Sequence, residues 1–228
     1  MKILVTGGAG FIGSSLSRTL VEKGHEVTVF DNFFLGAENN IADMKSRIKL
    51  VKADITDAAA VADAARGCDV IFNEAAASSS TMFKKELSRS VAVNINGFVN
   101  VMNADVKNGV KRVVYASTSS IYGNMKPPLT EDVKCVPVNM YASTKLMNEH
   151  IALLLGMESG IETVGLRYMS VYGPGEESKG IFANLVSQFM WAMKKGESPV
   201  IYGDGTQTRD FTYVKDVVKA NMLAMESK

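Results

Sequence analysis

Cysteine is scarce. The 228 residues contain two, Cys68 and Cys135, too few for a disulfide framework, and no Cys/His cluster has the spacing of metal ligands. An excess of either charge is also lacking. Lys and Arg number 25 against 24 Asp and Glu, a formal net charge of +1. There is accordingly no basic face to make nucleic acid the main partner, and no acidic tail. No stretch approaches the ~18 consecutive apolar residues of a membrane span. The run Lys2-Ile3-Leu4-Val5-Thr6 is too short for a signal peptide and meets glycines at once. There is no internal repeat and no low-complexity segment. These absences predict a soluble protein of a reducing compartment, the cytoplasm, with no membrane, nucleic-acid or metal partner.

What is present suffices for a core. Apolar residues make up 46% and charged residues 21%, near the globular average. At roughly 100–200 residues per domain the chain is one large domain, or a domain with a small appendage. Through the first two thirds, short apolar runs alternate with amphipathic stretches. Candidate strands are Lys2–Thr6, Glu26–Phe30, Ile48–Lys52, Val70–Asn73, Arg112–Ala116 and Glu162–Arg167. They are nearly apolar throughout, as strands buried on both faces must be. Candidate helices lie between them at Phe11–Lys23, Ala58–Ala65, roughly Lys84–Lys107 and Tyr141–Glu158. Gly24, Gly67, Gly109 and Gly160 stand where helices should stop. The alternation predicts an α/β fold with a doubly wound parallel sheet covered on both faces.

After Arg167 the character changes. Tyr172–Gly180 reads as a loop, followed by a helix at about Ile181–Lys195, a strand Val200–Tyr202, a Gly-Asp-Gly turn, a strand Asp210–Tyr213 and a last helix from Val214. The expectation is a main domain at 1–168 and a small second lobe at 169–228.

Thr6-Gly7-Gly8-Ala9-Gly10-Phe11-Ile12-Gly13 follows the first strand and opens the first helix. Gly7 permits a tight turn, Gly10 lets backbone amides approach a diphosphate, and Gly13 lets helix and strand pack closely. The helix N-terminus adds amide donors and partial positive charge. Asp31, at the tip of the second strand, can accept both hydroxyls of an adenosine ribose and repel a 2′-phosphate, which favours NAD over NADP. Asp54, after the third strand, has two readings: acceptor from the adenine amine, or cap of the helix that Thr56-Asp57 begins. Tyr141 and Lys145 lie four apart, on one face of a helix. A nearby ammonium favours phenolate, so Tyr141 can exchange a proton with a substrate hydroxyl. Ser117-Thr118-Ser119-Ser120 ends the fifth strand, where hydroxyls point into the ligand crevice of a Rossmann-type sheet.

These motifs resemble the NAD-dependent epimerase/dehydratase family of extended short-chain dehydrogenase/reductases. The matching segments run along the whole chain: the glycine loop, Asp31-Asn32, Ala53-Asp54, Asn94-Ile95-Asn96-Gly97, Ser117-Thr118 to Ile121-Tyr122-Gly123, Tyr141/Lys145, Leu166-Arg167-Tyr168, Val171-Tyr172-Gly173-Pro174-Gly175, and Gly203 to Phe211. The resemblance implies catalysis by Thr118, Tyr141 and Lys145. It implies NAD contacts from Gly7, Gly10, Phe11, Ile12, Gly13, Asp31, Asn32, Asp54, Ile55, Ala75, Ala76, Asn94, Ser117, Tyr141, Lys145 and Tyr168. Substrate contacts would come from Thr118, Ser119, Ser170 and Arg209, the arginine meeting the diphosphate of a sugar nucleotide. The implied activity is 4-epimerisation of a UDP-hexose, the UDP-glucose/UDP-galactose type. A UDP-sugar decarboxylase or dehydrogenase on the same scaffold, and a non-catalytic NAD-binding protein, are the alternatives.

The sequence departs from the family in four places. Ser119-Ser120 stand where dehydratases carry Asp-Glu, so elimination of water lacks its acid and base. Ser170 replaces a frequent Asn that helps hold the diphosphate. Asn73-Glu74 replace a His-apolar pair, and Glu74 is either paired locally or reaches the cofactor region. Family members also normally continue past Lys228, which implies a truncated C-terminal substrate lobe. His25 reads as an exposed turn residue and His150 as packed or at an interface. Ile151–Leu155 is apolar on more than one helical face, and the preceding helix carries Val91, Val93, Ile95, Phe98, Val99, Val101 and Met102. Together with the resemblance, these predict a homodimer through a four-helix interface.

Overall fold

The computed structural model describes residues 1–227, and residues 105–107 by their backbone alone; Lys228 lies outside the described residues. Six strands form one parallel sheet: β1 (Lys2–Thr6), β2 (Glu26–Asp31), β3 (Ile48–Lys52), β4 (Val70–Asn73), β5 (Arg112–Thr118) and β6 (Glu162–Tyr168), in the order β3-β2-β1-β4-β5-β6. All six expected strands are present, and β2, β5 and β6 each run slightly further at the C-terminal end, where the ligand crevice of such a sheet opens. Every residue of β4 and β5 is buried, which explains the apolar runs Val70–Phe72 and Val113–Ala116 within them. The order reverses between β1 and β4, so the crevice lies above those two strands.

Helices cover both faces. On one, α1 (Phe11–Glu22) and α8 (Val214–Glu226) pack Leu16, Leu20, Val218 and Met222 against Ile3, Val5 and Phe72. On the other, α2 (Ala58–Ala65), α5 (Gly97–Asn108) and α6 (Met140–Ser159) pack Val61, Phe98, Met102 and Ala152 against Leu4, Ile71 and Val113. Side chains cap α2 (Asp57) and α6 (Asn139). No side chain caps α1, whose N-cap is Gly10. Gly24, Gly67, Gly109 and Gly160 all adopt positive φ, as their places at helix ends predict. Among the described residues no helix is long and apolar enough to cross a membrane, and no group of His, Cys, Asp or Glu could hold a metal ion.

Three local expectations are corrected. The single helix expected over Lys84–Lys107 is broken into α3 (Ser80–Lys85), α4 (Leu87–Val91), a π-helical turn Ala92–Asn96 and α5. Glu86 leaves the helical region at φ −140°, and a π turn shifts the apolar period by one residue with no Gly or Pro to mark it. Val200–Tyr202 is no strand. Its residues are exposed, and the small second sheet pairs β7 (Ser170–Tyr172) in parallel with β8 (Phe211–Tyr213). The expected helix at Ile181–Lys195 is shorter, α7 (Leu185–Lys194), capped by Asn184 after a 3-10 turn.

The last helix lies in the segment expected to form the second lobe, yet it packs on the main sheet. Arg112 of β5 fastens it there. Its guanidinium is buried and donates to the Ala224 and Met225 carbonyls at 2.8 and 2.9 Å, and from Nε to Glu162 at 2.9 Å. Two terminal carbonyls of α8 thus find their donor on the sheet. Arg112→Met should leave them unsatisfied and lower stability by about 2–3 kcal/mol, or roughly 4–12 °C in Tm for a chain of this size. Thermal melting followed by circular dichroism checks this; an unchanged Tm would mean that the clamp contributes nothing.

Candidate active site

The glycine loop is built by contact. An ideal Cβ on Gly13 would sit 2.1 Å from the Gly7 carbonyl oxygen, and one on Gly7 would sit 2.7 Å from the Ala75 nitrogen. Gly7 also needs its φ of +67°. The start of α1 is therefore pressed against the ends of β1 and β4, and its first amides meet no capping side chain. They open onto a cavity of about 430 Å³ walled by Gly10, Phe11, Ile12, Asp31, Ala75 and Ala76. A cradle that any Cβ would fill, with free amides at a helix N-terminus, fits the diphosphate of a dinucleotide.

Asp31 lies at the tip of β2, buried, in the cavity wall. Its carboxylate accepts from the amides of Ala9 (3.0 Å) and Phe33 (2.8 Å). Burial pushes its pKa up, and those amides oppose the shift. Asn32 and Ile55 share the wall. Asp54 does not line it. Its Oδ1 accepts from the amide and hydroxyl of Thr56, its Oδ2 accepts from Asn32, and Asp57 caps α2. Asp54 thus holds a turn, and the cap of α2 is Asp57 instead.

Thr118 closes β5 while Tyr141 and Lys145 occupy the first turns of α6; all three line the same cavity. Asn139 starts that helix by accepting from the Ala142 amide at 2.9 Å. Lys145 Nζ donates to the Ala116 carbonyl at 2.7 Å. Burial pushes the ammonium down to about 8, against the opposite charge of Glu74. Burial likewise raises the Tyr141 phenol, opposed by the Thr118 hydroxyl. The protein's own groups thus hold the Tyr141 phenol above its ordinary value, because desolvation dominates.

Ser117 and Tyr168 border the cavity, but their hydroxyls have protein partners. Ser117 Oγ donates to Glu149 at 2.5 Å, and Glu149 receives the two-pronged guanidinium of Arg167 at 3.1 and 2.8 Å. Tyr168 donates to Glu74 at 2.8 Å. Asn94 stands outside the wall. It is buried in the π turn, its Oδ1 accepts from Ala77 N, and its Nδ2 donates to Ala77 O and Thr144. Both of its donors are thus used, and Oδ1 keeps one acceptor lone pair.

On the expected substrate side, Ser119 and Ser170 line the cavity and Arg209 does not. Arg209 is exposed, with NH1 donating to its neighbour's carbonyl at Thr208. Lys85, Arg89 and Lys179 enter the wall without being foreseen, because they sit on segments that read as ordinary helix or loop. Lys179 is tied to the buried Glu176 at 2.8 Å. Glu74 satisfies both of its readings: Tyr168 is its local partner, and it also faces the cavity.

Comparison with known proteins agrees with this geometry. Residues 3–228 match the NAD dependent epimerase/dehydratase family. The chain is 34% identical to UDP-N-acetyl-alpha-D-glucosaminuronate decarboxylase of Bacillus cytotoxicus, over 100% of this chain and 72% of that protein. It is 35% identical to a putative UDP-glucose 4-epimerase of Methanocaldococcus jannaschii, over 99% of this chain and 74% of that protein. The crystal structure of UDP-glucose 4-epimerase from Thermotoga maritima with UDP-glucose superposes with a TM-score of 0.95 at 35% identity, covering 100% of this chain and 74% of that one. With its glycine cradle, Asp31 and the Thr118/Tyr141/Lys145 group on one cavity wall, the chain belongs to the NAD dependent epimerase/dehydratase family.

Proposed function

We propose that the chain is an NAD-dependent nucleotide-sugar epimerase that inverts C4 of a UDP-hexose, with UDP-glucose and UDP-galactose the simplest pair. The observation that carries this is the convergence of Thr118, Tyr141 and Lys145 on the cavity that the glycine loop and Asp31 also wall. Ser119 and Ser120 follow Thr118 where a dehydratase of this family needs an acid pair, which leaves C4 oxidation and reduction as the chemistry.

The first-turn amides of α1 hold the diphosphate, and Asp31 accepts the adenosine ribose hydroxyls. NAD, when bound, supplies hydride acceptance and return at C4 and a positive charge beside Tyr141. A phenol is already protonated at neutral pH and burial pushes Tyr141 further that way, so cationic neighbours are needed to make it a base. Lys145, one turn along the helix, is the protein's own source of that charge. Tyr141 then takes the proton of the C4 hydroxyl and gives it back after the 4-keto sugar has turned over. Thr118 hydrogen-bonds the reacting oxygen, and Ser119, beside it, and Ser170 of β7 contact the substrate. The cofactor side is assigned to 1–168 and the substrate side to 169–228, apart from α8, which packs on the main sheet.

Incubating the protein with NAD and UDP-glucose should yield UDP-galactose. Formation of a UDP-pentose from UDP-glucuronate, with no epimer, would reassign the chain to decarboxylation. Tyr141→Phe should cut turnover by about 10²–10⁴-fold while NAD affinity stays within a few-fold; full turnover in that variant would refute the proton-transfer role. Asp31→Ala should weaken NAD binding and narrow the preference over NADP, measured by titration with both dinucleotides. Homodimerisation is proposed through α6, where Met147, Leu153, Leu154 and Met157 are exposed; Phe98, Val101 and Met102 of α5 face the sheet instead. Light scattering at micromolar concentration should give twice the chain mass, and a monomer would count against it.

A further inference from the structure

Glu74 follows directly on β4. Its Oε1 accepts from the Tyr168 hydroxyl of β6 at 2.8 Å, and that hydroxyl accepts from Asn221 Nδ2 of α8 at 2.6 Å. Asn221 is fully buried, and its amide is also tied to the Val217 carbonyl. Two elements besides its own thus aim one carboxylate into the cavity that Lys145 and Tyr141 line. Lys145 in turn donates to one backbone carbonyl and makes no ion pair within 4.0 Å among the described residues. A buried ammonium with a single neutral acceptor is costly, and Glu74 is the carboxylate that shares its cavity wall.

We propose that Glu74 is a positioning residue of this site: a fixed counter-charge, held by Tyr168 and Asn221, that keeps Lys145 an ammonium beside Tyr141. This rests on the epimerase reading for its catalytic meaning but not for its electrostatic content. The titratable groups that face Glu74 are Lys145 from α6 and Tyr168 from β6. Burial raises Glu74 to about 7 and lowers Lys145 to about 8, and each charge opposes the shift of the other. The signs follow from linkage. Glu74 binds its proton more tightly in the folded chain, so its contribution to stability is present at low pH and is lost as pH rises toward 7. Lys145 binds its proton less tightly when folded, so its contribution to stability increases as pH rises above 8.

The test uses the full chain. Unfolding by urea is measured for the wild type, Glu74→Gln, Lys145→Met and the double variant, at pH 5 and pH 7.5. At pH 5 Glu74 is neutral and the two substitutions should be additive. At pH 7.5 they should deviate from additivity by about tenfold in the unfolding equilibrium constant, the value of one pKa unit. Additivity at both pH values would overturn the coupling. Should Glu74→Gln not fold, Tyr168→Phe replaces it, and an undiminished coupling to Lys145 in that background would overturn the anchoring. Activity gives the second readout. In Glu74→Gln the alkaline limb of kcat against pH should move down by about one unit with KM little changed. A lower kcat with an unmoved profile would mean a merely structural role. A wild type that converts no UDP-hexose at any pH would refute the epimerase reading, and the stability cycle would still decide the coupling.

Discussion

Two backbone segments meet more closely at Gly7 and Gly13 than any side chain would allow, and the site depends on that approach. A Cβ on Gly13 would overlap the Gly7 carbonyl, so α1 can start hard against β1 only because both residues are glycine. That seating points the free amides of α1 at the sheet's switch point rather than at solvent. It also constrains the neighbouring strand. The backbone of Ala75 lies under the position of a Gly7 Cβ, and the small residues Ala75, Ala76 and Ala77 keep the wall beyond β4 open. Asp31 completes the loop from the other side by accepting the Ala9 amide, so the carboxylate assigned to the ribose also braces the cradle.

The remaining problem for the fold is where to keep charge in a dry cleft. It is solved differently on the two sides of β5. Behind Ser117, Glu149 and Arg167 form a fork with two parallel hydrogen bonds, and Tyr122 takes a further guanidinium N–H at 3.0 Å. Such a pair satisfies most of its own donors and acceptors and needs nothing from a ligand. On the cavity side, Lys145 and Glu74 are not closed on each other, and each keeps bonding capacity toward the cleft. Charge that is fully paired holds architecture; charge left partly unpaired in the wall is available to chemistry.

Much of the fold was legible because its signals are local. Strands buried on both faces read as apolar runs, and helix ends carry glycines that take positive φ. The glycine loop, Asp31 and the Tyr141/Lys145 pair were legible for the same reason, since spacing alone puts them on one turn or one helical face. The surroundings of Asp54, Asn94 and Arg209 were less legible. Asp54 and Asn94 bond nearby backbone and side chains, and Arg209 stands on an exposed loop. Competition between a ligand and a protein partner for one amide or carboxylate is settled by distances across the fold, which spacing does not encode. Of the second sheet, the strand expected at Asp210–Tyr213 is β8, while its partner β7 was missed for a simpler reason: three residues give no periodicity to read.

The least legible feature joins the parts of the chain that sequence reasoning separated. The last helix supplies Val218 and Met222 to the core beneath β1, offers its terminal carbonyls to Arg112, and sends Asn221 to the Tyr168 hydroxyl. The first two contacts stabilise the sheet, and the third reaches the wall of the cleft through Glu74. A helix read as part of a substrate lobe is therefore also a wall of the cofactor domain, and it links the packing of the sheet to the polar groups around Lys145. A boundary drawn after residue 168 follows the change in sequence character. The interactions that hold the catalytic wall in place cross it.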